Sequence, residues 1–193
     1  MNKTKKYNDK SSKKDKSSKK HTLKKRIFSK KNYNSGDGML TSVWGPSMWH
    51  YLHLMSFNYP LKPSKEDKKH YRKFILDLQY VLPCKYCRIN LQNNFKTLPL
   101  TMKDMENRDT FSKYVYNLHE LVNKMLNKKS NLSYSEVRDR YEHFRSRCNN
   151  NKIVKKEEKG CTDPLNGKKS KCIIKIVPQD VKGETFQMDL KKN

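Results

Sequence analysis

Apolar residues recur at helical spacing through the middle of the chain, and this pattern restricts the fold more than any other feature. Intervals of three and four residues between apolar positions indicate amphipathic helices. Because the connections are short, we predict an all-α core: an antiparallel four-helix bundle with a short fifth helix packed across one end. The first helix is predicted over residues 46–59, and the others begin at Ser64, Pro83, Asp109 and Ser133, the fifth extending to Cys148.

Local start signals support several of these helices. Ser64 is followed by Asp67, and Ser133 by Glu136, at the three-residue spacing of a capping box. The Gly45-Pro46 pair signals the start of the first helix, since proline is favoured in a first turn.

Two cysteines separated by two residues, Cys84 and Cys87, open the third predicted helix. One helical turn brings both sulfurs to the same side, which suits a disulfide with its Cα separation of about 4.4–6.8 Å. At a helix N-terminus the dipole favours a thiolate, and Lys85 and Arg88 favour it further. The pattern indicates a redox-active dithiol.

The motif alone leaves two other interpretations open, a zinc site and an inert pair. Structural zinc normally needs two further Cys or His ligands at similar spacing, and the chain has no second C-x-x-C. The other cysteines, Cys148, Cys161 and Cys172, are separated by twelve and then ten residues.

The charge of the chain is concentrated near its N-terminus. Of 193 residues, 44 are Lys or Arg and 19 are acidic, for a formal net charge of +25. Residues 1–33 are mostly Lys, Ser, Asn and Thr, so we predict a disordered basic arm over residues 1–38. Basic arms can bind nucleic acid, but no aromatic stacking residues are interleaved with the lysines. A solubilising tail is the favoured interpretation.

Beyond the helical region, residues 149–193 form a predicted C-terminal extension. A β-branched run over residues 172–177 and an alternating run over residues 186–190 predict two strands of a β-hairpin. Because an isolated hairpin is marginally stable, we expect a Cys161–Cys172 disulfide or docking on the bundle to hold it.

Membrane insertion and secretion are not expected. The chain has no run of about 18 apolar residues, and its N-terminus lacks the apolar core of a secretory signal. We therefore expect a soluble protein without a membrane span. In a reducing compartment a purely structural disulfide scaffold is disfavoured.

Four motifs occur in the same order as in one known family. They are Trp44-Gly45-Pro46-Ser47-Met48-Trp49-His50-Tyr51-Leu52-His53, Tyr59-Pro60, Pro83-Cys84-x-x-Cys87-Arg88 and His119-Glu120-x-Val122-Asn123-x-x-Leu126-Asn127-Lys128. Residues 39–148 thereby resemble the Erv/Alr-type FAD-linked sulfhydryl oxidases, most closely members from large cytoplasmic DNA viruses.

The resemblance implies an activity. Such proteins bind FAD non-covalently in a small helical bundle, oxidise protein dithiols to disulfides and pass the electrons to oxygen, giving hydrogen peroxide. Cys87 would be the cysteine next to the flavin, and Cys84 would exchange with incoming dithiols. A homodimer and a location in the host cytoplasm, the virion or both are also implied.

The resemblance also implies a set of FAD contacts. Trp49 and His53 lie four residues apart on one helix face, as do His119 and Asn123. Flat rings can stack on the flavin or adenine, while His, Asn and Lys side chains can bind ring edges and phosphates. The implied contacts are Gly45, Trp49, His53, Tyr116, His119, Asn123, Lys128, Arg140 and Tyr141.

The chain also departs from the family in three respects, one of which is Asn58 in the place of a tyrosine that relatives often have late in the first helix. Many relatives have a structural disulfide between the fourth and fifth helices, but the matching positions here are Tyr116 and Tyr134. Packing through Val137, Tyr141 and Phe144 is therefore expected to hold the fifth helix.

The third departure concerns the shuttle disulfide that relatives tend to carry on a flexible arm. The N-terminal arm contains no cysteine pair, so Cys161 and Cys172 are the candidates, either as that shuttle or as a structural cross-link.

Two alternatives to the oxidase stay open. The first is a zinc-binding interaction module, which would use the dithiol with two of His119, Cys148, Cys161 and Cys172. The second is a basic nucleic-acid-binding virion protein in which the helical domain is a scaffold.

Overall fold

The computed structural model describes residues 29–148, 161–166, 170–178 and 180–181. The predicted all-α core is confirmed, and a short two-stranded sheet follows it. The elements are α1 (Lys30–Tyr33), α2 (Thr41–Phe57), α3 (Lys65–Val81), α4 (Lys85–Thr97), α5 (Arg108–Met125), α6 (Tyr134–Glu142), β1 (Ser146–Cys148) and β2 (Cys161–Pro164).

Most of the predicted basic arm, residues 1–28, lies outside the described residues. Within the arm, α1 is a single turn that was not predicted. Ser29 caps this turn, because its hydroxyl accepts a hydrogen bond from the Asn32 amide at 3.1 Å.

The core lies where the long helices meet. α2 packs on α5 and α6, α3 packs on α4, and α4 packs on α5. Tyr59 and Phe111 are fully buried with ring centroids 4.9 Å apart, and the Tyr59 hydroxyl donates to the Met105 carbonyl at 3.0 Å. Each such buried side chain stabilises the fold by roughly 1.5–3 kcal/mol. The bundle is therefore a packed support for the residues at its ends.

Both predicted capping boxes are present. The Ser64 hydroxyl accepts from the Asp67 amide while the Asp67 carboxylate accepts from the Ser64 amide, and Ser133 and Glu136 repeat the arrangement. The start predicted at Asp109 is wrong. Asn107 caps α5 instead, in a reciprocal pair of hydrogen bonds with Thr110, and Asn is as good a cap as Asp.

The predicted start of α2 at Pro46 is also wrong, since the helix begins five residues earlier at Thr41. Proline lacks an amide hydrogen, so only the Ser42 carbonyl loses its helical partner. Ser42 is exposed to water, which can hydrate that carbonyl. A proline close to the helix start is therefore tolerated.

The prediction for the fifth helix and the hairpin needs correction. α6 ends at Glu142, and Cys148 lies in β1, which pairs antiparallel with β2 so that the Cα atoms of Cys148 and Cys161 are register partners. Residues 172–177 form no strand, and residues 186–190 lie outside the described residues. Cys172 is a free, exposed cysteine, so the Cys161–Cys172 disulfide, one of the two ways in which the hairpin was expected to be held, does not form.

No helix in the described part of the chain combines the length and apolarity that a membrane crossing requires.

Candidate functional site

The dithiol lies at the N-terminus of α4, as predicted, although Pro83 precedes the helix and Cys84 itself is the cap. Cys84 and Cys87 are disulfide-bonded with their Cα atoms 5.1 Å apart. The Cys84 sulfur accepts a hydrogen bond from the Cys87 amide at 3.2 Å. Both cysteines are half-buried. The helix therefore directs an amide donor at the sulfur pair, which favours a thiolate when the disulfide opens.

Arg88, which was expected to favour the thiolate, also holds the turn before the dithiol. Its Nη1 donates to the Leu82 carbonyl at 2.5 Å. Leu82 is the C-cap of α3, so the bond ties the end of α3 to the first turn of α4. The guanidinium is thus held at the segment that leads into the dithiol.

A short segment packs against the dithiol in a way that sequence analysis missed. Residues 37–41, which we call the docking segment, run beside the start of α4. The Met39 amide donates to the Pro83 carbonyl at 2.7 Å, and the Lys85 amide donates to the Asp37 carbonyl at 3.2 Å. Gly38 forms an isolated β-bridge with Cys84 between these two bonds.

Gly38 is required by this close approach. Its φ of +109° is a backbone conformation that residues with side chains rarely adopt. A Cβ atom there would lie 2.5 Å from the Pro83 carbonyl oxygen and 2.8 Å from the Cys84 Cα. The only sequence signal for this packing is a single glycine, which does not by itself identify a partner.

The docking segment ends at Thr41, the first residue of α2. Its side-chain oxygen lies 3.5 Å from the Cys87 sulfur, within hydrogen-bonding range for sulfur. Thr41 was not among the predicted site residues, because 46 positions separate it from Cys87 in the sequence.

Four predicted cofactor residues come together beside α2, two to three turns beyond the start of that helix. We call Trp49, His53, His119 and Tyr141 the ring cluster. The Trp49 and His119 rings stack with centroids 4.0 Å apart and an interplanar angle of 8°. His53 Nε2 lies 3.0 Å from His119 Nδ1, and the His53 and Tyr141 centroids are 5.2 Å apart. Since Trp49 and His119 already touch, a bound ring must lie against the cluster and not between these two.

Burial keeps both histidines neutral. It lowers the pKa of His53 to about 3, with smaller contributions from His119 and His50. It lowers the pKa of His119 to about 4, where nearby Lys128 acts in the same direction and Glu120 opposes it. At pH 7 one imidazole therefore donates and the other accepts in the bond between them.

His53 has a further nitrogen that the described residues leave unsatisfied. The side chain is only 3 % exposed, yet no described group bonds its Nδ1. A buried polar atom without a partner costs roughly 1–3 kcal/mol. Such an atom is suited to meet a polar group on a bound molecule.

An open cleft of about 550 Å³ lies at the C-terminal end of α5 and the loop that follows. Asn127 and Asn131 have φ near +54° and +53°, a conformation that Asn tolerates better than most residues. The predicted residue Asn123 donates its side-chain amide to Glu120 at 3.0 Å. The lining consists of Glu120, Lys124, Asn127, Lys128, Lys129, Ser130, Asn131 and Leu132, so three lysines face one acid.

The remaining predicted cofactor residues lie apart from the ring contacts. Gly45 is buried in α2, one turn before Trp49, and Arg140 is exposed in the last turn of α6. Tyr116 donates its hydroxyl to the Leu132 carbonyl at 2.7 Å, and its ring packs against Tyr134.

The contact between Tyr116 and Tyr134 occupies the positions where the resemblance implies a disulfide in relatives. The ring centroids are 5.8 Å apart at an angle of 64°. The Tyr134 hydroxyl is 2.8 Å from the Ser112 hydroxyl and donates to the Asp109 carboxylate at 3.0 Å. The α5–α6 junction thus rests on an aromatic pair and its hydrogen bonds.

Packing at α6 involves all three residues expected to hold it, and Phe144 also contacts the His50 ring of α2 edge to face at 6.0 Å. Val137 is buried, and the Tyr141 ring stacks on Phe57 with centroids 5.5 Å apart. Phe144 lies beyond the helix and contacts the Tyr141 ring edge to face at 6.0 Å. Burial raises the pKa of Tyr141, so its phenol stays protonated.

The described side chains offer no zinc site. Within that part of the chain, no three His, Cys, Asp or Glu residues are grouped so that they could hold a metal ion. The paired sulfurs of Cys84 and Cys87 are also committed to each other.

Comparison with known proteins identifies the family. The Erv1 / Alr family model matches residues 46–142. A probable FAD-linked sulfhydryl oxidase of Acanthamoeba polyphaga mimivirus is 35 % identical over 99 residues, which cover 51 % of this chain and 68 % of the relative. The FAD-linked sulfhydryl oxidase of African swine fever virus is 33 % identical over 120 residues, covering 62 % and 91 %.

Among solved structures, the chain is similar to the yeast Erv1 core, with a TM-score of 0.49 and 21 % identity. The match covers 63 % of this chain and 95 % of that one. Since the family model spans half of the chain and the viral alignments span at least two thirds of each relative, the chain belongs to the Erv1/Alr family.

Proposed function

We propose that the chain is an FAD-linked sulfhydryl oxidase that converts pairs of thiols in protein substrates into disulfides. The observation that carries this proposal is the Cys84–Cys87 disulfide at the N-terminus of α4. A disulfide in that position is a good oxidant, because the helix stabilises the thiolate that its reduction releases. Both viral relatives bear the name of this activity.

The two sulfurs have different roles. A substrate thiolate attacks the Cys84 sulfur, the Cys84–Cys87 bond breaks, and Cys87 leaves as a thiolate. The second substrate thiolate then attacks the mixed disulfide, which releases the oxidised substrate and leaves Cys84 reduced. Two electrons have thereby moved to the pair, and the protons go to solvent. Cys87 is assigned to the flavin side because its sulfur contacts α2, the helix that also carries Trp49 and His53.

The residues present fit FAD. The ring cluster offers flat faces and the unsatisfied His53 Nδ1, which suit a polar heteroaromatic ring. The cleft with Lys128 and two further lysines suits the phosphates. Asn123 lies between the two regions, one turn beyond His119 on α5. When bound, FAD accepts the electron pair of the reduced dithiol, and the protein supplies binding and orientation.

Of the implied contacts, Gly45, Tyr116, Arg140 and Tyr141 are assigned supporting roles in the same proposal. Gly45 lies on the buried side of α2, where an added Cβ would lie 3.5 Å from the Thr41 methyl group, and Tyr141 flanks His53. Tyr116 anchors the loop that closes the cleft through Leu132. Arg140 adds positive charge on the last turn of α6.

Oxygen is the proposed final acceptor, with hydrogen peroxide as the product. A location in the host cytoplasm, the virion or both is proposed because the relatives named above are viral. A homodimer is proposed too, and the exposed rings of Tyr51 and Phe74, which touch edge to face at 6.2 Å, offer an apolar surface for it. Sedimentation of the purified protein tests this last point.

The proposed domain organisation is an oxidase domain over residues 39–148, between the basic segment 1–38 and the extension 149–193. The basic segment is proposed as a solubilising tail. Binding to DNA that weakens steeply with salt and is lost on deletion of residues 1–33 would favour nucleic acid as its partner instead.

The activity is tested with Cys84→Ser and Cys87→Ser. We expect yellow wild-type protein that consumes oxygen and releases peroxide on addition of dithiothreitol, and loss of this turnover in both variants. Cys172→Ser is the matched control, because Cys172 is exposed and unpaired with another cysteine. Colourless protein that carries zinc, or undiminished turnover in both variants, would contradict the proposal.

A further inference from the structure

Among the described hydrogen bonds, Thr41 provides the one side chain from another helix that reaches the Cys87 sulfur. Because the Cys87 sulfur is bonded to Cys84, it carries no proton. The Thr41 hydroxyl must therefore be the donor across the 3.5 Å between them. Thr41 also lies outside residues 46–142, the part of the chain that the family model matches.

We propose that Thr41 is a further catalytic residue, whose hydroxyl donates a hydrogen bond to the thiolate that Cys87 becomes when the disulfide opens. The inference rests on the proposed oxidase function. In the step concerned, the substrate thiolate forms a bond to the Cys84 sulfur while the Cys84–Cys87 bond breaks, and the bonding electron pair leaves with Cys87. Negative charge thus develops on the atom that Thr41 already contacts.

The size of the expected effect of Thr41 follows from the change in charge on the Cys87 sulfur, which accepts its hydrogen bond. A hydrogen bond to a neutral disulfide sulfur is weak, whereas a bond to an ionised acceptor is roughly twice as strong as a neutral one. The contact is therefore stronger after the bond breaks than before, which is the condition for accelerating the step. We expect about a tenfold effect on thiolate formation, which corresponds to about 1.4 kcal/mol.

The docking segment fixes the position of this hydroxyl. The Met39 amide bonds Pro83, and Gly38 lies against Cys84, so the chain reaches α2 from a fixed point. The Trp44 indole donates to the Met39 carbonyl at 3.2 Å and ties the first turn of α2 to the same segment. Contacts of residues before Thr41 and after it in the sequence thus fix its position.

Thr41 can be substituted without removing or adding a charged group near the dithiol. The first turn of α2 carries no charged residue, and neither does the last turn of α3. The His53–His119 pair is neutral at pH 7. The charged and titratable side chains on the segments that border the dithiol are Asp37, Tyr80, Lys85, Tyr86 and Arg88. Substitutions at Thr41 that keep these groups therefore isolate the hydroxyl.

The test measures Cys87 directly, in full-length protein with Cys84→Ser so that Cys87 cannot pair with it. Alkylation of Cys87 by iodoacetamide is followed by peptide mass spectrometry from pH 5 to pH 10, which separates it from the other cysteines. We expect Thr41→Val to raise the pKa of the Cys87 thiol by about one pH unit, and Thr41→Ser to leave it unchanged. Thr41→Ala serves if the valine variant does not fold. Equal profiles for the hydroxyl-bearing and hydroxyl-free variants would overturn the proposal.

A second measurement separates this inference from the oxidase proposal. With both cysteines present, reduction of the disulfide by dithiothreitol is followed by thiol trapping, and we expect it to slow about tenfold in Thr41→Val but not in Thr41→Ser. Neither measurement needs flavin turnover. Wild-type protein without flavin or oxygen consumption would remove the proposed function, while the alkylation profiles would still decide the role of Thr41.

Discussion

The dithiol and the ring cluster are built in opposite ways. The dithiol is half-buried at a helix end, and backbone hydrogen bonds from the docking segment position it. The ring cluster is formed by side chains from α2, α5 and α6, which contact each other ring to ring. The difference teaches that the position of the dithiol follows from the backbone path beside it, whereas the position of the ring cluster depends on each side chain.

Helix α2 joins these two regions. It begins at Thr41, in contact with Cys87, and carries Trp49 and His53 further along. At a rise of 1.5 Å per residue they lie about 12 Å and about 18 Å along the axis from Thr41. One helix thus sets the spacing between the sulfur chemistry and the rings.

The strongest test of this comparison is Gly38→Ala, which disturbs the backbone packing of the docking segment against the dithiol. The new Cβ would overlap the Pro83 carbonyl, and the residue would keep an unfavourable φ. We expect the free energy of unfolding to fall by about 3 kcal/mol, measured by urea denaturation, together with faster reduction of the dithiol.

Gly36→Ala is the control for that experiment, since its Cβ would have no neighbour within 4 Å. Equal stability of the two alanine variants would mean that the docking segment does not hold the start of α4.

The ring side of the comparison is tested by His119→Phe. Phenylalanine keeps a flat ring against Trp49 but cannot bond His53 Nε2, which is then left buried without a partner. We expect a loss of about 2 kcal/mol in the free energy of unfolding and weaker retention of FAD, measured by denaturation and by flavin absorbance after gel filtration.

His70→Phe is the matched control, because His70 is an exposed histidine on α3 whose described partner is Glu66. If both variants lose stability equally, the contact between His53 and His119 does not stabilise the cluster.

The two buried histidines also predict a pH dependence that the dithiol end lacks. Their pKa values in the folded protein, about 3 and about 4, lie below the ordinary 6.5. Protons therefore bind the unfolded chain more readily, so the stabilisation is full above pH 6.5 and is lost as pH falls. We expect the free energy of unfolding to drop by about 2 kcal/mol between pH 6.5 and pH 5.5, measured by urea denaturation at each pH.

Carboxylates do not account for a loss in that window. The pKa values of Asp67, Glu136 and Glu142 are lowered from their ordinary 3.8 and 4.5, so the stability they contribute is lost mainly as pH falls through and below those ordinary values, which lie under this window. A slope that persists unchanged in His119→Phe would contradict the assignment to the histidine pair.

The sequence predicted the features that depend on contacts between neighbouring residues better than those that depend on contacts between distant ones. The capping boxes at Ser64 and Ser133 were predicted correctly because the bonding partner is three residues away. The C-x-x-C was identified for the same reason. Sequence spacing placed Trp49 and His53 on one face, but the partner His119 is 66 positions from His53 and was suggested by the family resemblance.

The features that were missed depend on chain segments meeting in space. Nothing near Thr41 in the sequence indicates that it contacts Cys87, and α2 starts there and not at Pro46 because the docking segment leads the chain to that point. The Cys161–Cys172 disulfide, one of the two alternatives for the extension, is absent for a similar reason: strand register, which puts the backbone of Cys148 opposite Cys161, cannot be deduced from cysteine spacing.

The smallest expected effect concerns the support of the ring cluster at the α5–α6 junction. Tyr134→Phe keeps the ring against Tyr116 but removes the hydroxyl that bonds Ser112 and Asp109. Because Ser112 keeps its bond to the Arg108 carbonyl and Asp109 is exposed to water, we expect a loss of only about 1 kcal/mol in the free energy of unfolding, measured by thermal and urea denaturation. Tyr80→Phe, on the exposed end of α3, is the control and should change nothing.

Flavin retention in Tyr134→Phe tests whether the ring cluster can change while the dithiol does not. α6 carries Tyr141, which stacks beside His53, so a loosened α6 shifts one ring of the cluster while leaving the dithiol in place. Tyr134→Phe should therefore release FAD more readily, yet show the same alkylation profile of Cys87 as the parent in the Cys84→Ser background. If the Cys87 profile moves together with flavin retention, the two regions are coupled through more than α2, and the division between a backbone-built site and a side-chain-built site does not hold.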